Sequence, residues 1–81
     1  MKICYKRLFQ LLVERNIRKG ELASRAQISL SSITKMTHDE PVRIDIIIKI
    51  CETLRVDLAD IMELRNDDGS AIDWGKVKSD K

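Results

Sequence analysis

The chain has few of the residues from which catalytic and metal-binding sites are usually built. Its 81 residues include one histidine, two cysteines, one proline, three glycines and three aromatic side chains. A single histidine, His38, excludes a histidine pair as metal ligands or as an acid and a base. The glycines are scattered and form no phosphate-binding loop. We therefore expect no catalysis and no bound cofactor, metal ion or small-molecule ligand.

Long apolar runs are missing as well. A helix that spans a bilayer needs about 20 consecutive apolar residues, and the chain has no such run. The N-terminus also lacks the apolar stretch and small-residue cleavage site of a signal peptide. Cys4 and Cys51 lie far apart without zinc-ligand spacing, so we expect two reduced thiols. These features predict a cytoplasmic protein that does not contact a membrane.

Aromatic side chains are limited to Tyr5, Phe9 and Trp74, although 43% of the residues are hydrophobic. The core must therefore be largely aliphatic, which suits a helical bundle better than a β-sandwich. A chain of 81 residues forms one small domain.

The apolar residues recur at helical spacing and predict five helices. The first covers roughly residues 5–15, with Tyr5, Leu8, Phe9 and Leu12 at that spacing. At each of the other four starts, an apolar residue just before the cap pairs with another five positions later, as in a hydrophobic staple. The pairs are Ile17 with Leu22, Ile28 with Ile33, Val42 with Ile47, and Val56 with Ile61.

The fourth predicted helix, residues 44–54, is the most apolar segment. Its apolar stripe is predicted to consist of Ile44, Ile47, Ile48, Cys51 and Leu54, with Ile50 beside the stripe and Ile46 off it. Ser29 and Asp57 are good caps for the third and fifth helices. Arg18 and Arg43 occupy the equivalent positions of the second and fourth helices, and an arginine cannot accept a backbone hydrogen bond.

The helical pattern stops after Leu64. Residues 66–70 are typical of a turn or linker, and residues 71–81 lack helical periodicity. The prediction is an all-α domain of five helices over residues 1–65, followed by a turn and a short C-terminal tail over residues 66–81. We expect Ile72 and Trp74 to dock on a folded surface, within the chain or across a dimer; the alternative is a mobile end.

Charge is distributed unevenly along the chain. Residues 1–43 contain nine Lys or Arg against four Asp or Glu, a net charge of +5, whereas residues 44–65 contain three against five, a net charge of −2. A basic half of this kind would orient the domain toward a polyanion. A charge of +5 spread over three helices is also found on ordinary soluble surfaces.

Residues 19–36 carry the most informative pattern. Leu22, Ala23 and Ala26 lie on one face of a first helix, and Ile33 and Met36 lie on one face of a second. Ala23 provides the small side chain that a steep helix crossing requires. The pattern predicts two short helices joined by a tight turn, a helix-turn-helix. The outward face of the second helix would consist of Leu30, Ser31, Thr34 and Lys35.

These residues, together with the run 48–54, resemble the Cro and phage-repressor class of helix-turn-helix DNA-binding domains, especially its small stand-alone bacterial regulators. The resemblance extends from about residue 5 to residue 64. It implies sequence-specific binding of double-stranded DNA and regulation of transcription, with repression the expected effect, by a homodimer. The chain departs from the class at Gln27, where glycine is usual in the turn, at Lys19, where glutamine is common, and at Leu30, where a polar residue is usual.

The resemblance also implies a set of contact residues. The recognition helix, around residues 29–37, would enter the major groove and contact base edges through Leu30, Ser31, Thr34 and Lys35. Lys35 suits guanine O6 and N7, and Leu30 suits the thymine methyl group. Phosphate contacts are expected from Arg18, Lys19, Ser32, Thr37, His38 and Arg43. Arg18 and Arg43 begin helices whose dipoles favour the same anion; the alternative is a frayed helix start with a solvated arginine.

A protein-interaction module of the same fold, antitoxin-like or anti-regulator, is the alternative function. Leu30 and the small net charge of +2 favour it, whereas the basic half of the chain favours DNA. A dimer contact is expected on the apolar side of the last two helices, around Ile46, Ile61 and Leu64, and at the Trp74 tail.

Overall fold

A computed structural model describes residues 1–76; the predictions for residues 77–81 lie outside this part of the chain. Four helices are present in the described part: α1 (Lys6–Glu14), α2 (Lys19–Ala26), α3 (Leu30–Thr37) and α4 (Ile44–Leu54). Two short strands, β1 (Lys2–Cys4) and β2 (Glu63–Arg65), and two 3₁₀ turns, Leu58–Asp60 and Trp74–Lys76, complete it. No helix in residues 1–76 has the length and apolar character needed to cross a membrane.

The core is aliphatic apart from Tyr5, and each of the four helices contributes to it. The buried side chains are Tyr5, Leu8, Leu12, Leu22, Ala23, Ala26, Ile33, Met36, Ile47, Ile50, Leu54 and Ile61. No polar or charged residue is buried in the described chain. The four predicted staples have the expected burial, because each leading residue is half-buried and each partner is buried.

The cap residues follow the sequence pattern. The Ser29 hydroxyl accepts the Ser32 N–H at 3.3 Å, and Asp57 and Asp60 form a reciprocal capping box. Arg18 and Arg43 are the N-cap residues of α2 and α4, and neither side chain makes a cap hydrogen bond. These helix starts are therefore stabilised mainly by the buried staple partners.

The prediction of a fifth helix is wrong, and the predicted all-α fold is mostly rather than entirely helical. After the capping box, the chain makes a single 3₁₀ turn, buries Ile61 and continues as β2. Strand β2 pairs antiparallel with β1, so that Ile3 lies opposite Leu64. The strand pairing supplies the backbone hydrogen bonds that further helical turns would have supplied. The domain is mostly helical with a two-stranded sheet that joins its two ends.

The predicted stripe of α4 is also partly wrong. The face of α4 that packs inward, mainly against α2, contains Ile47, Ile50 and Leu54. Ile44 and Ile48 are 60% and 47% exposed. The predicted dimer surface needs the same correction, because Ile61 is fully buried and Ile46 packs against the core. The five isoleucines of α4 form two apolar stripes, and only the one facing α2 is buried.

The segment after β2 folds back on the sheet. Asn66 donates its N–H to the Ser70 carbonyl at 3.0 Å, and Ala71 forms a β-bridge with Arg65. Ile72 is half-buried, whereas Trp74 is 56% exposed. Within the described residues, docking of the tail thus involves Ile72 more than the indole of Trp74.

Candidate nucleic-acid interface

Helices α2 and α3 and the turn between them form the predicted helix-turn-helix. Gln27 ends α2 in the left-handed conformation, with φ 58° and ψ 46°, as expected where glycine is usual. The Ile28 N–H reaches back to the Ala23 carbonyl at 3.0 Å, and Ser29 then begins α3 in an extended conformation. Because Ala23 is buried under this crossing, a larger side chain there would separate the two helices.

The outward face of α3 consists of the residues that the sequence predicted. Ile33 and Met36 are fully buried, whereas Leu30, Ser31, Thr34 and Lys35 are exposed. Leu30, at 54% exposure, is the large apolar group on this face. Contact of these four exposed residues with DNA bases stays a prediction.

Two threonine hydroxyl groups of α3 already donate within the helix, which constrains the base groups that they can bind. Thr34 donates its hydroxyl to the Leu30 carbonyl at 3.1 Å, and Thr37 donates to the Thr34 carbonyl at 2.6 Å. Ser31 shares a hydrogen bond with Ser29 at 2.9 Å. A hydroxyl that has donated its proton keeps acceptor lone pairs. Thr34 is therefore suited to accept from the amino group of cytosine or adenine, and Lys35 is the donor on this face.

Two of the predicted phosphate contacts, Ser32 and Arg43, line one crevice. A crevice between α3 and the start of α4 brings together Ser32, Lys35 and Arg43. Ser32 is half-buried, and its hydroxyl lies 3.1 Å from that of Ser29, so it is poorly placed for a new partner. The Arg43 side chain is highly exposed, and its Nε atom lies 3.3 Å from Oδ1 of Asp45.

Arg18 is exposed at the start of α2. The ammonium group of Lys19 lies over the Phe9 ring, 5.3 Å from its centroid. This cation–π contact holds Lys19 toward α1. Thr37 and His38 are exposed at the end of α3. The assignment of all six residues to phosphates stays a prediction.

Sequence reasoning missed the role of one residue in the loop that follows α3. Asp39 is half-buried, and its carboxylate accepts the Tyr5 N–H at 3.0 Å. Asp39 has a φ of 55°, a left-handed conformation that aspartate tolerates better than most residues. The sequence held one local signal for this turn, namely an Asp that follows the end of a helix and precedes a proline by two residues. Its partner, 34 residues away, had no local signal.

No other kind of site emerges within residues 1–76. No group of three or more His, Cys, Asp or Glu side chains is placed to hold a metal ion there. Burial raises the pKa of the half-buried Cys51 thiol, and the Asp57 and Asp60 carboxylates raise it further. This thiol is therefore held in its protonated, weakly nucleophilic form.

Comparison with known proteins agrees with this geometry. The sequence pattern of the Cro/C1-type HTH DNA-binding domain matches residues 7–67, which is most of the chain. No curated protein matches the chain. Among solved structures, the crystal structure of the transcriptional regulator VanUg, Form II, is similar, with 35% sequence identity and a TM-score of 0.73. The similarity covers 76% of this chain and 83% of VanUg. With its helix-turn-helix built on the residues that the family pattern spans, the chain belongs to the Cro/C1-type helix-turn-helix DNA-binding domain family.

Proposed function

We propose that this protein binds double-stranded DNA sequence-specifically through α3 and regulates transcription, with repression as the expected effect and no enzymatic activity. The observation that carries the proposal is the exposed face of α3, where Lys35 offers a donor. On the same face the Thr34 hydroxyl donates to the Leu30 carbonyl and keeps its acceptor lone pairs. Family membership and the similarity to a transcriptional regulator support it. The basic half of the chain would draw this face toward the DNA backbone.

Selection of duplexes from a random pool by the purified protein tests this proposal. A recovered consensus should contain guanine at a position that Lys35 reads and a base with an exposed amino group at a position that Thr34 reads. A pool that stays random after repeated rounds, although the protein is folded, would contradict sequence-specific binding.

We also propose that the protein acts as a homodimer, because one small reading helix buries too little surface for useful affinity at a genomic site. An apolar groove between α4 and the first 3₁₀ turn is the best candidate contact. Ile44, Ile48 and Leu58 line it and are all exposed. Asp45 lies in the first turn of α4, and Arg55 is the C-cap residue at its C-terminal end. Antiparallel pairing of two α4 helices would bring these opposite charges together and bury both apolar stripes.

Sedimentation of two variants tests the dimer. Ile48→Glu places a charge inside the groove and should give a monomer at tens of micromolar while leaving the helices intact. Val13→Glu is the matched control, because Val13 is 80% exposed on α1, outside the groove. A wild-type monomer at that concentration, or an Ile48→Glu variant as dimeric as Val13→Glu, would contradict this arrangement.

The second candidate function is a protein-interaction module, and the exposed Leu30 on the reading face favours it. The two functions differ in their response to salt. The affinity for DNA falls steeply as the salt concentration rises, because binding releases counterions from the phosphates. The affinity of an apolar protein contact does not fall in this way. Leu30→Ser should abolish a protein contact made through this face but should reduce DNA affinity only at a thymine position.

A further inference from the structure

The loop between α3 and α4 carries two acidic residues, Asp39 and Glu40, next to residues that are predicted to contact DNA. Lys35, His38 and Arg43 surround this loop in sequence, and Asp39 lies among them. Electrostatics alone would make a carboxylate here unfavourable for binding a polyanion. The carboxylate nevertheless has a structural partner, because it accepts the N–H of Tyr5 at 3.0 Å.

The contact joins the loop to the N-terminal end of α1. Tyr5 is the N-cap residue of α1, and its side chain is fully buried. Its hydroxyl is buried without a hydrogen-bond partner among the described residues, and Val42 packs against the core of which Tyr5 is a part. The loop is thus held near its beginning by the hydrogen bond at Asp39 and near its end by the packing of Val42 on the core. Because the loop is held at both points, the backbone of the next residue, Arg43, has a fixed position.

The backbone of the loop is arranged for the same contact. The Asp39 N–H bonds to the Met36 carbonyl and the Glu40 N–H bonds to the Lys35 carbonyl, both at 3.0 Å. Together with the left-handed Asp39, these bonds close the end of α3 as in a Schellman motif. Glycine would satisfy that backbone conformation without strain. Aspartate adds the acceptor that glycine lacks.

We infer that Asp39 is a positioning residue for DNA binding: its hydrogen bond to Tyr5 orients the α3–α4 loop, so that His38 and Arg43 are held ready for phosphates beside the recognition helix. The inference rests on the proposed function, because it concerns the same DNA-binding surface. It predicts that Asp39 strengthens binding despite its charge. The negative charge of Asp39 should lower the affinity for DNA, whereas its hydrogen bond to Tyr5 should raise it. Variants that remove one effect without the other can therefore test the inference.

Three variants separate the two effects. Glu40→Gln removes a neighbouring exposed carboxylate and should bind the selected duplex about two- to threefold more tightly at low salt, because one repulsive charge is lost. Asp39→Asn removes the charge but keeps an acceptor and the left-handed preference, so it should bind about as tightly as Glu40→Gln. Asp39→Gly removes the charge and the acceptor while still permitting the backbone conformation.

Asp39→Gly is the decisive variant. It should bind about threefold or more weakly than wild type, and the slope of log affinity against log salt should fall by about one phosphate contact, roughly 0.9. A variant that is only less stable would keep the wild-type slope once it is folded at the assay temperature. Tighter binding than wild type, or weaker binding with an unchanged slope, would overturn the inference.

Amide hydrogen exchange on the wild-type protein tests the contact without any variant. The Tyr5 N–H precedes the first turn of α1, and its acceptor in the structure is Asp39. It should exchange slowly compared with the Lys6 N–H, which lies at the unpartnered start of the helix. An equally fast Tyr5 amide would overturn the inference. Absence of salt-dependent duplex binding by wild type would instead contradict the proposed function and leave the exchange result standing.

Discussion

Gln27→Gly should stabilise the protein, because glycine adopts the left-handed backbone conformation of the helix-turn-helix turn without the strain that a side chain causes there. Gln27 has a φ of 58° and an exposed side chain. The left-handed conformation costs an L-residue about 1–2 kcal/mol, and glycine loses about 0.5–1 kcal/mol in additional backbone entropy on folding. The net gain is therefore about 0.5–1 kcal/mol. For a domain of this size, that gain raises the melting temperature by about 2–8 °C.

Two other left-handed residues provide the comparison for this prediction. Arg55 ends α4 with a φ of 60°, and Arg55→Gly should give a gain similar to that of Gln27→Gly when both are measured at a concentration where the protein is monomeric. Asn16, with a φ of 58°, follows α1; Asn16→Gly should give little, because asparagine tolerates this conformation. Thermal unfolding followed by circular dichroism measures all three. A lower melting temperature for Gln27→Gly, or an equal gain for Asn16→Gly, would refute the reasoning.

Lys35→Ala should cost about 1–3 kcal/mol on the best duplex and relax the preference at one base pair, whereas Arg18→Ala should weaken all sequences alike. Competition binding measures both, and unchanged selectivity in Lys35→Ala would contradict its placement in the groove. Deletion of residues 71–81 should lower the melting temperature, because the Ala71 bridge and the half-buried Ile72 are lost, while the helical circular dichroism signal stays; an unchanged melting temperature would contradict docking of the tail. The hydrogen bond from Arg65 holds the pKa of Glu63 below its usual range. The ionised Glu63 therefore stabilises the fold above its unfolded pKa, and this contribution is lost as the pH falls through the lower folded pKa. In acid titrations, Glu63→Gln should lose less stability over that window than wild type, and a parallel loss would contradict the ion pair.

The elements that could be predicted from the sequence are those with local signals. The bounds of α4, the caps at Ser29 and Asp57, and the left-handed Gln27 each depend on residues only a few positions apart. The helix-turn-helix belongs to this group, because small and aliphatic side chains at helical spacing suffice to indicate two crossing helices. The exposed face of α3 followed from the same spacing.

The features that could not be predicted depend on distant partners. The segment from Asp57 to Ile61 has the cap and the staple of a helix, and it ends after one turn because β1, at the other end of the chain, pairs with the following residues. Which apolar stripe of α4 is buried depends on where α2 packs. The acceptor for the Tyr5 N–H lies 34 residues away, and no periodicity in the sequence indicates that pairing.

The affinity of the purified protein for its selected duplex, measured across salt concentrations, tests the central claim of DNA binding through α3 and its basic flanks. Three of the six predicted phosphate contacts, Arg18, Lys19 and Arg43, are cationic. Log affinity should therefore fall linearly with log salt, with a slope of roughly −2.7 for each bound domain. An unrelated duplex should give a similar slope but a lower affinity, because base contacts carry the sequence preference. A shallow slope near zero, or equal affinity for the two duplexes, would contradict the claim.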